Sequence, residues 1–202
     1  YFNGMEKIGD SLFVLDSSKI YEIELTDNTF LESWDNRTSG TTKSLLGAAY
    51  GNNTFVAVGN DGKIVTSADN GTTWTAQTSG TTKDFVGITY GNNTFVTVGN
   101  DGKIFTSDNG TTWTARTSGV NKKLNEVTFE NNTFVAVGNQ GAIITSEDGA
   151  TWTEQTSGTT VGLYGVGFGN NTFVTVGTGG LIFTSSDGVT WTAQTSGTTD
   201  QL

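Results

Sequence analysis

The groups available for chemistry in this chain are carboxylates, lysines and hydroxyls, because its 202 residues include neither histidine nor cysteine. Histidine is the most usual general base, and cysteine is both a common nucleophile and the source of thiolate metal ligands. Their absence removes most catalytic and metal-binding arrangements. The sequence therefore predicts a protein that is not an enzyme and that carries no metal and no cofactor.

Lysine and aspartate recur in two kinds of loop. One has the sequence Asn-Asp-Gly-Lys, and the other runs Thr-Ser-Gly-Thr-Thr-Lys. Together they offer paired donors and acceptors that suit hydroxyl-rich ligands or a protein surface, although charged loop residues are often simply solvated. The predicted ligand-binding residues are Lys43, Asn60, Asp61, Lys63, Lys83, Asp84, Asn100, Asp101 and Lys103.

The elements that must position these loops belong to a sequence repeat. The chain has five tryptophans, spaced by 40, 39, 39 and 39 residues, namely Trp34, Trp74, Trp113, Trp152 and Trp191. Thr-Ser-Gly follows each tryptophan, and Asn-Asn-Thr-Phe-Val recurs in four of the units. A short unit repeated in this way must stack on its own copies to bury its apolar face.

Each unit is predicted to fold as four antiparallel strands. In the second unit the strand-like segments are residues 45–50, 55–58, 63–66 and 73–77, separated by Asn, Asp and Gly turns. Repeated four-stranded sheets around an axis form a β-propeller, whereas the coils of a β-solenoid are usually shorter and need no tight hairpins. We therefore expect an all-β fold, a five-bladed β-propeller of four-stranded antiparallel blades.

We expect one domain over residues 1–202, folded as a monomeric closed ring. The predicted blades lie near residues 1–40, 41–80, 81–119, 120–158 and 159–197. Residues 195–202 read like the start of another unit, whose remaining strands could come from Tyr1 onward. In this strand order, the loops between second and third strands and the connections between units meet on one face. The predicted ligand-binding residues would gather there.

The turn between the third and fourth strands carries a motif. Residues 67–74 fit the pattern S-x-D-x-G-x-x-W, and residues 106–113 fit it with Thr in place of Ser. In the last two units the aspartate directly precedes the glycine, as Asp148 and Asp187. The motif resembles the Asp-box, or bacterial neuraminidase repeat (BNR), and the resemblance implies a folding element remote from the ligand face. Its predicted structural residues are Ser67, Asp69, Gly71, Trp74, Thr106, Asp108, Gly110, Trp113, Gly149, Trp152, Gly188 and Trp191.

The longer repeat is similar to the propellers of photosystem II assembly factors and their bacterial relatives. This resemblance indicates the fold better than it indicates the function. Sialidases also carry Asp-boxes, but a sialidase-like site needs three arginines to clamp a carboxylate. This chain has two, Arg37 and Arg116. A carboxylate pair for glycoside hydrolysis is the remaining catalytic alternative.

Charge narrows the choice of partner. The net charge of −10 repels nucleic acid phosphates and anionic membrane surfaces. No apolar run reaches the length of a membrane span, so we expect no membrane insertion. A composition rich in Thr, Asn and Gly and low in charge suggests a secreted or cell-surface location.

The sequence thus predicts a non-catalytic recognition module, lectin-like or protein-binding, with repeated shallow sites on one face of the ring. Its partner would be a glycan or a protein surface. One alternative is a structural spacer or assembly scaffold within a larger surface or phage-type protein. Another is a repeat-amplified or designed propeller without a selected ligand, and a third is a glycoside hydrolase.

Overall fold

The computed structural model describes residues 4–8, 11–16, 19–24 and 35–201, with side chains described from residue 36 onward. Sheet 1 contains β1 (Gly4–Ile8), β2 (Ser11–Asp16), β3 (Lys19–Glu24) and β4 (Asp35–Thr38). Sheet 2 contains β5 (Leu45–Gly51), β6 (Thr54–Gly59), β7 (Ile64–Ser67) and β8 (Thr75–Gln77). Sheet 3 contains β9 (Phe85–Gly91), β10 (Thr94–Gly99), β11 (Ile104–Ser107) and β12 (Thr114–Arg116).

Sheet 4 contains β13 (Leu124–Glu130), β14 (Thr133–Gly138), β15 (Ile143–Ser146) and β16 (Thr153–Gln155). Sheet 5 contains β17 (Leu163–Gly169), β18 (Thr172–Gly177), β19 (Leu181–Ser185) and β20 (Thr192–Gln194). In every sheet, strands that follow one another in the chain pair antiparallel. The helical structure in the described residues is limited to 3-10 turns at Asn60–Gly62, Asn100–Gly102 and Asn139–Gly141. No helix in this part of the chain has the length and apolarity needed to cross a bilayer.

Tight asparagine turns set the register of the first hairpin in sheets 2 to 5. Asn52 and Asn53, between β5 and β6, both adopt left-handed backbone angles, with φ of 46° and 55°. Asparagine tolerates this conformation, and two such residues in succession match the right-handed twist of the flanking strands. The turn pairs Tyr50 with Phe55 across the hairpin, and their rings lie 4.7 Å apart.

The core is a series of apolar layers between consecutive sheets. Val56 and Val58 of sheet 2 cluster with Phe85 and Phe95 of sheet 3, and equivalent clusters join sheet 3 to sheet 4 and sheet 4 to sheet 5. The first strands stack side by side, β1 on β5, β5 on β9, β9 on β13 and β13 on β17. Sheets 2, 3 and 4 therefore each bury an apolar face against the next sheet, as the repeat predicts.

The prediction of a propeller built from four-stranded antiparallel sheets is confirmed, but closure of five blades into a ring is not. Among the described strands, β17 makes no packing with β1 comparable to that between the other neighbouring first strands. The sequence repeat defines the unit, whereas the rotation between units depends on the side chains at each interface. The single-domain assignment and the blade boundaries stay predictions.

Candidate functional site

The connections between strands lie at two opposite ends of the sheets. We name one end the charged rim; it comprises the turns at Asn60–Gly62, Asn100–Gly102, Asn139–Gly141 and 178–180 with segments 39–44, 79–84, 118–123 and 157–162. The other end is the box rim, formed by the asparagine hairpins and the four turns, called box turns here, at residues 67–74, 107–113, 146–152 and 185–191. Antiparallel meander topology places these two sets apart.

In the second unit, the box turn is organised around Asp69. Its Oδ1 accepts a hydrogen bond from the Thr73 amide at 2.9 Å and another from the Ser67 hydroxyl at 2.7 Å. The Thr73 hydroxyl donates to Oδ2 at 2.6 Å. The Thr73 hydroxyl, followed by the Thr73 amide and the Ser67 hydroxyl, lowers the pKa of Asp69 to about 2. Gly71 adopts a φ of 79°, and its carbonyl accepts from the Trp74 indole.

In the third unit, the predicted roles of Thr106 and Asp108 are wrong. Asn109 Oδ1 accepts the amides of Thr111 and Thr112 at 2.9 Å, and Ser107 Oγ accepts the Gly110 amide at 2.8 Å. The second unit has one more residue between serine and glycine, Asn70, which takes a φ of 56°. When the motif of the second unit is aligned on the tryptophan, it therefore assigns the turn residues one position too early in the other units. This residue also accounts for the single spacing of 40.

The last two units use the same arrangement as the third. Asp148 Oδ1 accepts the amides of Ala150 and Thr151 at 2.8 and 2.7 Å, and Asp187 accepts the equivalent amides of the fifth unit. These amides are the main cause of the lowered pKa of Asp187 and of the pKa of about 2 for Asp148. The aspartate directly before glycine, which looked like a departure from the motif, is thus the usual form.

The box tryptophans hold the turns closed. Their indole nitrogens donate to the box glycine carbonyls at 2.8 to 2.9 Å in all four described box turns. Trp152 is buried, and Trp74, Trp113 and Trp191 are half-buried against apolar clusters. Trp34 lies outside the described residues. This geometry supports a structural role for the described tryptophans.

The lowered pKa of Asp148 leads to a prediction about acid stability. A carboxylate with a depressed folded-state pKa stabilises the fold above its unfolded pKa of 3.8, and this contribution is lost as the pH falls towards 2. We expect Asp148→Asn to keep the turn at pH 7, because Asn109 accepts the equivalent amides in the third unit. The substitution should also make stability less dependent on pH between about 4 and 2.

Asp148→Ala is the comparison, and it should lose about 1 kcal/mol at pH 7 because two amides lose their acceptor. Urea denaturation of the wild type and both variants at pH 7 and pH 3 measures the effect. Equal losses for Asn and Ala at pH 7 would contradict the proposed role of the side-chain oxygen.

On the charged rim, the structure brings together most of the predicted ligand-binding residues. Lys43 forms an ion pair with Asp61, and at the same repeat positions Lys83 Nζ lies 2.6 Å from Asp101 Oδ2. Each of the two pairs links an inter-sheet segment to the next turn of its own unit. The hydrogen bond and charge of Asp101 raise the pKa of Lys83, and Lys83 in turn lowers the pKa of Asp101. Both pairs are solvent-exposed, so they add little to stability.

Asp84 connects two neighbouring units. Its Oδ1 accepts the amide of Asp61 at 2.8 Å, and its Oδ2 accepts Asn100 Nδ2 at 3.0 Å. The Asp61 amide is available because the residue takes a left-handed φ of 56° in its 3-10 turn. Asp84 therefore fixes the second-unit turn relative to the third-unit turn along the rim.

Three shallow depressions follow one another along this rim. The first, of about 590 Å³, is lined by Asp61, Lys63 and Gln77. The second, of about 690 Å³, is lined by Asp101, Lys103, Arg116, Lys122 and Glu154. The third, of about 700 Å³, shares Lys122 and Glu154 with the second and adds Gln140. Lys63 and Lys103 thus lie in depressions. The backbone of Asn60 holds the turn, since its amide donates to the Ser44 carbonyl and its carbonyl accepts from the Lys63 amide.

The composition of the rim changes from unit to unit. In the fourth unit Gln140 replaces the turn aspartate, and Lys122 pairs instead with Glu154 at 3.1 Å. In the fifth unit the lysine position is Val161, which is 38% exposed, beside Tyr164, 39% exposed. The binding residues predicted from the sequence do not include Lys122, Arg116 and Glu154. The position of Lys122, equivalent to Lys43 and Lys83 in the repeat, was the signal that could have revealed it.

The described residues of the charged rim offer charged groups and hydrogen-bonding groups for binding. No group of three or more acidic side chains in the described residues is placed to hold a metal ion. Burial raises the pKa of Glu126, but that carboxylate lies between sheets 4 and 5 and accepts the Val166 amide at 2.8 Å. Glu126 therefore connects two sheets through a hydrogen bond and does not line any of the three depressions.

Comparison with known proteins agrees with the observed fold. A family model described as the DUF6242 beta propeller domain matches residues 86–202. No curated protein sequence matches the chain at a significant level. Solved structures do match, among them one described as YCF48 bound to D1 peptide, with a TM-score of 0.72 and 18% identity, over 96% of this chain and 66% of that one.

A second similar structure is the WD40 beta propeller domain of Doa1, with a TM-score of 0.69 and 10% identity, over 91% of this chain and 64% of that one. A third is an ancestral GH74 enzyme, with a TM-score of 0.73 and 15% identity, over 96% of this chain and 31% of that one. The chain spans just under two thirds of the first two structures. At these identities the likeness shows the fold alone.

Proposed function

This chain belongs to the DUF6242 beta propeller domain family, and we propose that it is a non-catalytic recognition module that binds a segment of another protein along its charged rim. The observation that carries the proposal is the row of three depressions, two of which share Lys122 and Glu154 as a common wall. A row of open depressions of this kind suits an extended chain better than it suits an isolated small molecule.

Variation along the rim supports a single partner that crosses several units. The second strands and the asparagine hairpins are nearly constant in sheets 2 to 5, whereas the lysine position reads Lys43, Lys83, Lys122 and then Val161. Loops displayed on a rigid scaffold are where binding specificity usually lies. A segment lying along the rim would meet charged groups first and the exposed apolar groups of the fifth unit last.

The middle depression favours an acidic group on the partner. Three cations, Lys103, Arg116 and Lys122, line it with two anions, Asp101 and Glu154, in a chain whose net charge is −10. Arg116 Nε donates to the Thr106 hydroxyl at 2.9 Å. Thr106 lines a separate depression near the box rim, so Arg116 borders both depressions. A guanidinium can hold a carboxylate through two parallel hydrogen bonds.

One similar structure is described as YCF48 bound to a D1 peptide, and that description, although it concerns another protein, supports a peptide-like ligand for a propeller of this shape. A lectin-like site remains the second form of the proposal, because the same donors and acceptors suit hydroxyl-rich ligands. Under either form, the box turns serve the scaffold and the charged rim serves recognition.

The test is selection of binders from a random peptide display library, followed by titration of the selected peptides against a Lys63→Ala, Lys103→Ala double variant. We expect acidic peptides whose affinity for the double variant falls about tenfold or more, or about 1.4 kcal/mol. The matched control is an Asp108→Ala, Glu147→Ala double variant, which alters two exposed charges on the box rim and should bind like the wild type.

Equal binding by the wild type and the lysine variant would remove these depressions from the site. A glycan array run on the same proteins separates the two forms of the proposal, since binding of glycans but no peptides would favour the lectin-like site. Turnover of a glycoside by the purified chain would contradict a non-catalytic module.

A further inference from the structure

One lateral face of sheet 5 is uncovered, whereas the same face of sheets 2, 3 and 4 is buried. Val56, Val96 and Val135 occupy one repeat position in sheets 2, 3 and 4, and each is fully buried. Val174 occupies that position in sheet 5 and is 37% exposed. Its neighbours Val176, Ile182 and Thr184 are also less buried than their counterparts in the other sheets.

The covering group is the box glycine of the following sheet. A methyl group added to Gly110 would lie 3.1 Å from Val56, and one added to Gly149 would lie 3.1 Å from Val96. Gly188 lies equally close to Val135. These glycines have φ between 70° and 75°, so both their backbone angles and the space above the valine require glycine.

Two further contacts recur between sheets 2 and 3 and between sheets 3 and 4. Gly91 at the end of β9 lies directly on the ring of Phe129 in the next sheet, as Gly51 lies on Tyr90. Asn52 Nδ2 donates to the carbonyl of Asp108 at 3.2 Å, and Asn92 makes the same bond to the next unit. A methyl group added to the equivalent Gly169 of sheet 5 would meet no atom within 4 Å among the described residues.

We propose that this open face binds one further four-stranded sheet of the same repeat, a sixth unit that continues the row of stacked sheets. The partner must present a box glycine for Val174, an aromatic ring for Gly169 and a box carbonyl for Asn170. Segment 195–201 already occupies the place that precedes a following sheet, with the Thr198 carbonyl against Gly180 as the Thr81 carbonyl lies against Gly62. This proposal stands apart from recognition on the charged rim.

The chain's own first sheet does not meet these requirements, and neither does that of a second copy. The first unit has no glycine between Gly9 and Trp34, so it lacks a box glycine. Strand β1, with the sequence GMEKI, contains no aromatic residue. Since packing between sheets depends on these two groups, a regular unit is a better complement than sheet 1.

Thiol labelling tests the proposal directly, because the chain contains no cysteine. We expect Val174→Cys to react rapidly with a thiol reagent and Val135→Cys, at the same repeat position but covered, to react at least about tenfold more slowly. Extending the chain after Leu202 by a copy of residues 86–123 should slow labelling at position 174 to the rate at position 135. The same extension carrying Gly110→Val in the appended copy should leave position 174 reactive.

A second variant provides an independent check. Gly169→Ala should leave the thermal midpoint unchanged or higher in the 202-residue chain and lower it in the extended chain, where the methyl would meet the ring of the appended Tyr90. Three results would overturn the proposal. Slow labelling of position 174 in the monomeric 202-residue chain would mean that sheet 1 covers the face, and slowing that grows with protein concentration would mean that a second copy covers it. Continued rapid labelling in a folded extended chain would mean that the added unit does not bind there.

Discussion

Replacing Gly91 with alanine is expected to destabilise the protein by about 2–4 kcal/mol. The added methyl would overlap the ring of Phe129 in the neighbouring sheet. That ring cannot easily move away, because its centroid lies 4.4 Å from the ring of Phe134. The glycine has no left-handed backbone angle, so the loss would come from the inter-sheet contact. Chemical denaturation followed by tryptophan fluorescence measures it.

Gly169→Ala is the matched control, since it makes the same change at the same repeat position on the open face of sheet 5. Alanine in an uncrowded strand should be neutral or stabilising by about 0.5 kcal/mol. The difference between the two variants isolates the stacking of one sheet on the next. Similar losses in both variants would mean that the glycines are required by their own strands.

Trp152→Ala is the second large effect, with an expected loss of about 3–5 kcal/mol in unfolding free energy. Trp152 is 9% exposed, its ring centroid lies 6.2 Å from that of Phe134, and its indole donates to the Gly149 carbonyl at 2.8 Å. The substitution removes a buried ring and the bond that closes the box turn. Urea denaturation at neutral pH measures the loss.

Trp152→Phe separates the two contributions, because it keeps an aromatic ring and removes the hydrogen bond, for an expected loss of about 1–2 kcal/mol. Trp191→Ala, at the half-buried equivalent in sheet 5, should lose less than Trp152→Ala. A loss below about 1 kcal/mol for Trp152→Ala, together with lost peptide binding, would instead assign this tryptophan to the ligand.

The sequence was sufficient to predict the four-stranded unit, because Asn-Asn and Gly turns and β-branched segments are local signals that survive in every copy. The box turn shows the limit of that approach. One added residue, Asn70, shifted the pattern, so Asp108 was assigned where Asn109 forms the turn. Only the hydrogen bonds distinguish two adjacent polar residues that can both accept amides.

The location of the charged rim could be predicted from the sequence, but not all of its ion pairs could. Antiparallel topology alone brings Lys43 towards Asp61, since one precedes a sheet and the other lies in its second turn. Lys122 pairs with Glu154 because Gln140 offers no charge. The position of Glu154 in the fourth strand is alanine in the second, third and fifth units. Closure was beyond prediction, because it depends on small rotations summed over four interfaces.

Hydrogen exchange of the chain with and without a selected acidic peptide is the most direct test of recognition along the charged rim. Binding there should slow amide exchange in residues 60–63, 100–103, 118–123 and 139–142, while the box turns at residues 67–74 and 107–113 should exchange at unchanged rates. Slowed exchange confined to the box rim, or to the inner strands with none at the charged rim, would contradict it.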